Sequence, residues 1–297
     1  MTRFHGVIPA LLTLFTRNGA AIDFQATGEL VDWLIRRGVN GLFVAGSTGE
    51  GPLMSVQERK ALGEFIVEHV NGRVTVIVHS GCANGRDTIE LTKHARLIGA
   101  DAAGIVAPFY YILDARALQR YYSTIARAAG EFPLFLYNIP ILVKNDLAPD
   151  IVQGLVKQHS NIVGIKDSTG SIERLEEYSR IRRDNFTVIC GSDYLLLEAL
   201  QLGAKGSVSS TANVIPHFFV KLCNNFRRDN VRAARKWQDK IIELGGLLWT
   251  PNSIPAMKEM LRLLGLPTGA SRSPQRMLTT AERRALDQGL RALTLLS

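Results

Sequence analysis

Short apolar runs alternate with longer segments of helical periodicity along most of the chain. Such runs are typical of buried strands, and the periodic segments are typical of amphipathic helices. The pattern predicts eight strands, over residues 6–14, 41–45, 74–79, 102–107, 134–137, 162–166, 186–190 and 206–208. It predicts helices over residues 24–37, 56–70, 87–98, 115–129, 149–157, 172–182 and 194–202, with Asp23, Ser55 and Ser171 as N-caps.

The alternation ends after Val208, and residues 216–245, 255–264 and 280–293 are predicted to be helical with no strand between them. Eight strands that each lead into a helix are what a parallel barrel requires, whereas an open doubly wound sheet favours a glycine-rich nucleotide loop after its first strand. The first strand leads instead into Thr13-Leu14-Phe15-Thr16. The sequence therefore predicts an α/β fold, a (β/α)8 TIM barrel over residues 1–224 with a C-terminal helical extension over 225–297.

The composition is that of a soluble globular protein, with 297 residues of which 46% are hydrophobic and 21% are charged. No apolar run approaches the roughly 18 residues of a membrane-spanning helix, and the first residues have no signal-peptide core. Cys82, Cys190 and Cys223 have neither metal-binding nor redox spacing, which fits a reducing compartment. We therefore predict a cytoplasmic protein with no membrane partner.

The net charge of +8 is spread along the chain rather than concentrated in one segment. Arginine pairs are scattered at Arg36-Arg37, Arg182-Arg183, Arg227-Arg228 and Arg283-Arg284, without a basic block interleaved with aromatic residues. No nucleic-acid partner is therefore predicted. A general positive field favours a small carboxylate ligand instead.

Lys166 closes the predicted strand 162–166 and is the first candidate for chemistry. A neutral lysine amine beside a carbonyl condenses to a Schiff base, although a lysine at a strand end also simply marks the return of the chain to water. Tyr137 closes the preceding strand. Neighbouring strands lie about 5 Å apart, so the two side chains are expected to meet over one substrate atom.

Other strand ends in the predicted barrel carry polar groups. The segment Gly46-Ser47-Thr48-Gly49-Glu50 permits a tight turn whose N–H groups cradle an anion, or it is an ordinary βα loop. Tyr110 and Tyr111 are either interface aromatics or, for one of them, part of a proton relay with Ser47, Thr48 and Tyr137. The segments Gly191-Ser192-Asp193-Tyr194 and Ser209-Ser210-Thr211 either bind a polyhydroxylated substrate or cap the next helix.

Four of these segments resemble one enzyme family in order and spacing: Gly46-Ser47-Thr48-Gly49-Glu50, Pro108-Phe109-Tyr110-Tyr111, Tyr137-Asn138-Ile139-Pro140 and Gly164-Ile165-Lys166-Asp167. The family is that of dihydrodipicolinate synthase and N-acetylneuraminate lyase, and the resemblance covers nearly the whole chain. It implies a (β/α)8 class I aldolase or related lyase, generally homotetrameric. Such an enzyme holds pyruvate or another 2-oxo acid as a lysine Schiff base and needs no metal or other cofactor.

The resemblance also implies a role for each matching residue. Lys166 matches the imine-forming lysine, and Tyr137 matches the general acid and base beside it. Ser47 and Thr48 match the pair that holds the pyruvyl carboxylate, with one hydroxyl in the proton relay. Tyr110 matches the relay tyrosine found near a subunit interface.

The chain departs from the two best-known members of the family. Leu142 stands where dihydrodipicolinate synthases usually carry an arginine for the aldehyde carboxylate. Asp167 and Asp193-Tyr194 stand where sialic acid lyases typically have an aromatic residue and an Asp-Glu pair. The resemblance is greater to 2-keto-3-deoxy sugar acid aldolases and dehydratases. The expected substrate contacts are then Ser168, Gly191, Asp193, Ser209 and Ser210.

Three alternatives to a sugar acid lyase stay open at this point. Within the same chemistry they are an N-acetylneuraminate lyase and a 4-hydroxy-tetrahydrodipicolinate (dihydrodipicolinate) synthase. The third is a catalytically silent barrel that binds a 2-oxo acid, although the presence of both Lys166 and Tyr137 argues against it.

Overall fold

The computed structural model describes residues 3–181 and 186–293. Its strands are β1 (Gly6–Pro9), β2 (Gly41–Val44), β3 (Thr75–His79), β4 (Ala102–Val106), β5 (Leu134–Asn138), β6 (Ile162–Asp167), β7 (Thr187–Cys190) and β8 (Gly206–Ser209). Its helices are α1 (Phe24–Arg36), α2 (Val56–Val70), α3 (Gly85–Leu97), α4 (Ala115–Ala129), α5 (Pro140–Val143), α6 (Pro149–Gln158), α7 (Ile172–Ser179), α8 (Leu196–Gln201), α9 (Pro216–Arg227), α10 (Val231–Leu248), α11 (Ser253–Leu263) and α12 (Thr280–Ala292).

The eight strands form one parallel sheet in the order β1-β8-β7-β6-β5-β4-β3-β2. The sheet closes between β1 and β2, where Leu11 N–H donates to Phe43 O at 2.9 Å and Asn40 N–H donates to Val7 O at 2.7 Å. The predicted (β/α)8 barrel is therefore confirmed. Closure brings the carboxyl ends of all eight strands to one face, where barrel enzymes carry their active sites.

The helix starts follow the capping chemistry of the sequence. Asp23 accepts from Ala26 N–H, Ser171 accepts from Arg174 N–H, and Ser55 forms a capping box with Glu58. Each cap satisfies an N–H group that the helix itself leaves unpaired. All three predicted caps are confirmed.

The first strand is shorter than predicted. Residues 6–14 were expected to form one strand, but β1 ends at Pro9. Beyond the bridge at Ala10, the N–H of Leu12 donates to the Asn213 side-chain oxygen at 3.0 Å instead of to a strand neighbour. Residues 11–14 are buried all the same, which explains why their apolar pattern was indistinguishable from that of a strand.

Three predicted helices also differ from the structure. The helix expected over residues 216–245 is two helices, α9 and α10, because Asp229 adopts a left-handed conformation with φ 58° and Asn230 caps the next helix. The helix expected over 194–202 is a 3₁₀ turn, Asp193–Leu195, followed by α8. The helix expected over 172–182 ends at Ser179, and residue 182 lies outside the described residues.

The helices after β8 follow one another without a further strand in the described chain. Helix α9 packs against β1, and α10 packs against α9. The predicted boundary at residue 225 falls within α9, so the division of the chain into a barrel and an extension stays a prediction. In the part of the chain that the structure covers, no helix is long and apolar enough to cross a membrane.

Candidate active site

A cavity of about 820 Å³ opens at the carboxyl ends of the strands. Its lining combines strand-end residues with residues of the segment after α10. Ser47, Thr48, Tyr137 and Lys166, four of the predicted site residues, all line it. Among the described residues that line it, none is an arginine and Lys166 is the one lysine.

Lys166 and Tyr137 are direct partners in the register of β6 and β5. Both side chains are buried. The Lys166 Nζ atom lies 3.9 Å from the centroid of the Tyr137 ring and 4.8 Å from that of Phe43. Within the residues described, no carboxylate forms a salt bridge with Lys166, and its amine lies over the rings of Tyr137 and Phe43.

Ser47 and Thr48 lie in a tight turn after β2. Ala45 and Glu50 bracket the turn with φ of 57° and 58°, and Gly51 N–H donates to Gly46 O at 3.0 Å. The N–H groups of Ser47 and Thr48 donate to no other group in the residues that the structure describes. A turn of this kind presents backbone donors to an anion.

The same turn is anchored from two distant parts of the chain. Thr13 donates to Gly49 O at 2.7 Å. The fully buried side chains of Glu50 and Lys258 form an ion pair, and Arg272 N–H donates to the second Glu50 oxygen at 2.7 Å. Burial lowers the pKa of Lys258, and the Glu50 carboxylate opposes that shift. The position of the turn therefore depends on residues of and beyond α11.

Asp193, which follows β7, is a buried carboxyl group in the lining. Burial raises its pKa, while the hydroxyls of Thr211 and Ser209 and the charge of Lys166 lower it by less. Its Oδ1 atom has no hydrogen-bond partner among the described residues. An acceptor that is buried and unpaired at a pocket is suited to a ligand hydroxyl.

The other predicted contacts divide into two groups. Ser168, Gly191 and Ser210 line the cavity. Ser209 does not line it, and its hydroxyl oxygen accepts from Ala212 N–H at 3.0 Å. Ser209 is the last residue of β8, whereas Ser210 follows the strand with φ −72° and ψ −42°, and only Ser210 faces the cavity.

Tyr110 is also outside the lining of the cavity. Its side chain is 85% exposed and its φ is 86°, an uncommon conformation for a tyrosine. The exposed aromatic and aliphatic side chains nearby are Tyr111, Ile112, Ile141 and Leu142, and the rings of Tyr110 and Tyr111 are in edge contact with centroids 5.0 Å apart. Within one chain, Tyr110 does not join Tyr137 and Lys166.

Asp167 faces away from the cavity although it follows Lys166 directly. It accepts from the Thr169 hydroxyl at 2.6 Å and from the Asn138 amide at 3.2 Å, and burial raises its pKa. Asp167 therefore fixes the loop after β6 rather than contacting a ligand in the pocket.

The lining includes residues that were not anticipated, among them His79 and Trp249. His79 ends β3, and burial, followed by the charges of Arg59 and Lys166, holds its pKa well below 6.5. His79 could have been anticipated from the sequence, because it closes the predicted strand 74–79. Trp249 follows α10, and no feature of the sequence marks it as a lining residue.

Among residues 3–181 and 186–293, no three His, Cys, Asp or Glu side chains cluster so as to hold a metal ion.

The fold and the pocket are those of a (β/α)8 barrel enzyme with a buried lysine at its centre. Residues 3–293 match the model of the dihydrodipicolinate synthetase family. The chain therefore belongs to this family of pyruvate-dependent lyases.

Three relatives illustrate the range of the family. The putative 2-dehydro-3-deoxy-D-gluconate aldolase YagE of Escherichia coli (strain K12) is 36% identical over 269 residues, covering 89% of this chain and 88% of that protein. Its crystal structure in complex with pyruvate has a TM-score of 0.94 and 35% identity, with 98% and 99% coverage.

The second relative, the 4-hydroxy-tetrahydrodipicolinate synthase of Psychrobacter sp. (strain PRwf-1), is 35% identical and covers 99% of this chain and 97% of its own length. The third is a Ruminococcus gnavus sialic acid aldolase with a catalytic lysine mutation. Its structure has a TM-score of 0.93 and 26% identity, with 98% and 96% coverage. The chain is thus similar to members with three different named activities.

Proposed function

We propose that the protein is a class I lyase that cleaves or dehydrates a 2-keto-3-deoxy sugar acid, with pyruvate as product or donor. The observation that carries the proposal is the pairing of Lys166 with Tyr137. A lysine amine 3.9 Å from a tyrosine ring centroid, at the base of a large cavity, places a nucleophile beside a proton carrier.

In the proposed reaction, the Lys166 amine adds to the C2 carbonyl and water leaves, which forms an imine. The protonated imine accepts the electron pair of the C3–C4 bond when Tyr137 removes the proton of the C4 hydroxyl. An aldehyde departs, and the resulting enamine takes a proton at C3. Hydrolysis of the imine then releases pyruvate and restores Lys166.

The turn of Ser47 and Thr48 supports binding of the substrate carboxylate. Its two backbone N–H groups have no other partner in the described chain, and Thr48 also supplies a hydroxyl for the proton relay. No metal or other cofactor takes part in this proposal, because the imine itself is the electron sink.

The substrate assignment rests on the residues that line the cavity, Leu142 among them. Leu142 lines the cavity, and no arginine does so among the described residues, so the carboxylate of an aspartate semialdehyde would lack a cation there. Ser168, Ser210 and Asp193 provide polar contacts that suit hydroxyl groups. Both features favour a hydroxylated sugar acid, of the kind named for YagE, over the aspartate semialdehyde of the synthase.

We also propose that the protein is a cytoplasmic homotetramer. The exposed apolar side chains from Tyr110 to Ile112 and at Ile141 and Leu142 form a surface suited to a second copy of the chain. In such an assembly Tyr110 acts in the relay of a neighbouring copy. The three free cysteines fit a reducing compartment.

Trapping with borohydride tests the imine. Incubation with pyruvate and borohydride should add one reduced pyruvate, and peptide mapping should place it on Lys166. Lys166→Ala should abolish the adduct, whereas Lys60→Ala, which removes a lysine paired with Glu90 elsewhere on the surface, should retain it. An unmodified wild-type protein would refute the mechanism.

A substrate panel then tests the assignment. Pyruvate release from 2-keto-3-deoxy sugar acids should exceed release from sialic acid, and condensation with aspartate semialdehyde should be weak. Robust condensation would show that Leu142 does not exclude the synthase activity. An adduct without turnover of any of these compounds would support the silent 2-oxo-acid-binding barrel.

A further inference from the structure

Two aromatic side chains, Tyr194 and Trp249, line the same cavity as Lys166. Tyr194 follows β7 and Trp249 follows α10. Their side chains are 42% and 40% exposed, and their ring centroids lie 5.7 Å apart at an angle of 65°. We call this pair the aromatic wall.

The polar groups of the aromatic wall are directed at protein. The Trp249 indole N–H donates to the Thr211 hydroxyl oxygen at 3.3 Å, and the Tyr194 hydroxyl lies 3.5 Å from Gly170 O. A ligand would therefore contact mainly the carbon atoms of the two rings. Such a surface in a cleft favours the C–H groups of a ligand over its hydroxyls.

Gly245 fixes the position of the indole. A Cβ atom at residue 245 would lie 2.3 Å from Cζ2 of Trp249, so the ring packs directly against the helix backbone there. Glycine within a helix is unfavourable relative to alanine, and here it leaves room for the ring. The next residue, Gly246, has no atom within 4 Å of an equivalent Cβ.

We infer that the aromatic wall packs against the C–H groups of the substrate carbons beyond C4 and selects for a longer carbon chain. The inference rests on the proposed function, because the bond from Lys166 to C2 leaves the distal carbons to occupy the rest of the cavity. Pyruvate alone is too short to have these carbons. The wall therefore acts on the choice of aldehyde and not on imine formation.

The test uses the condensation direction. The ratio of kcat/KM for glyceraldehyde to kcat/KM for glycolaldehyde, each with pyruvate, is measured for wild type, Trp249→Ala, Trp249→Phe, Gly245→Ala and Gly246→Ala. Trp249→Ala and Gly245→Ala should lower the ratio roughly tenfold, the range expected when one carbon loses its apolar contact. Trp249→Phe should retain most of it, and Gly246→Ala should match wild type.

Trapping of pyruvate on Lys166 is measured in parallel and should be the same in all five proteins. The inference is overturned if the ratio is unchanged in Gly245→Ala and Trp249→Ala, if both aldehydes lose activity equally, or if a wild type that traps pyruvate condenses neither aldehyde. Failure of the wild type to trap pyruvate overturns the proposed function instead.

Discussion

Lys258 and Glu50 form an ion pair with both side chains fully buried, although 208 positions separate them in the sequence. Glu50 closes the turn that carries Ser47 and Thr48, and Lys258 lies in α11. Lys258 also donates to Ala270 O at 2.8 Å. The proposed carboxylate-binding turn is thus held in place from the last part of the chain.

Removal of the Lys258 ammonium should strongly destabilise the protein. Lys258→Met leaves the Glu50 carboxylate buried without its cation, and breaking such a pair costs about 3–5 kcal/mol of the free energy of unfolding. Denaturant titration measures this loss. The double variant Glu50→Gln/Lys258→Met, which removes both charges, should recover part of it. Equal losses in the single and double variants would contradict the prediction.

Tyr137→Phe should retain the lysine nucleophile but lose the proton carrier. We expect kcat for cleavage of the sugar acid to fall about 10²- to 10⁴-fold, the usual contribution of general acid–base catalysis. Borohydride should still trap pyruvate on Lys166. Tyr122→Phe is the matched control, because the Tyr122 hydroxyl donates to Ile105 O at 3.2 Å and does not line the cavity. A Tyr137→Phe enzyme with normal kcat would exclude the assigned role.

Asp193 makes the stability of the protein depend on pH. Burial raises the pKa of Asp193 in the folded state, so folding favours the protonated carboxyl group. Its contribution to the free energy of unfolding is complete below pH 3.8, the ordinary pKa, and is lost as the pH rises through the raised pKa of the folded state. Asp193→Asn should therefore be more stable than wild type at neutral pH, and the two should converge below pH 3.8. Unfolding curves across pH measure the difference, with the exposed substitution Asp239→Asn as control. A variant less stable than wild type at neutral pH would contradict the expectation.

A charge within the exposed apolar surface should disrupt the proposed assembly. Ile112 is 83% exposed and Leu97 is 81% exposed, but Leu97 lies on α3 and is not part of that surface. Ile112→Lys should shift sedimentation velocity toward smaller species and lower turnover, because Tyr110 would no longer reach a neighbouring copy. Leu97→Lys should behave as wild type. An unchanged assembly in Ile112→Lys would place the interface elsewhere.

The parallel barrel makes the pairing of Tyr137 with Lys166 predictable. Once the strand count of eight fixes the fold, residues that end consecutive strands must be neighbours. Ser209 and Ser210 show where this reasoning stops. β8 ends at Ser209 and Ser210 already follows the strand, so the point at which β8 ends decides which of the two adjacent hydroxyls faces the cavity.

Trp249, which lines the pocket, and Lys258, which supports it, had no local signal in the sequence. Trp249 follows α10 and Lys258 lies in α11, and the periodicity of both helices is explained by packing alone. Their contribution arises from contacts with Thr211 and Glu50, which lie far away along the chain. Contacts of this kind depend on how α10 and α11 pack on the barrel, and a helical pattern does not specify that arrangement.

The Glu50–Lys258 pair has a consequence for the order of synthesis. The ribosome completes all eight strands, including Lys166, before it adds Trp249, Lys258 and Arg272. Until then, the Glu50 carboxylate in the turn after β2 lacks the ammonium group of Lys258, and the cavity lacks its lining residues from Trp249 onward. We therefore expect a nascent chain whose eight strands are complete to lack activity. A truncated chain that ends before α11 should be inactive and prone to degradation, although it contains every residue of the proposed imine chemistry.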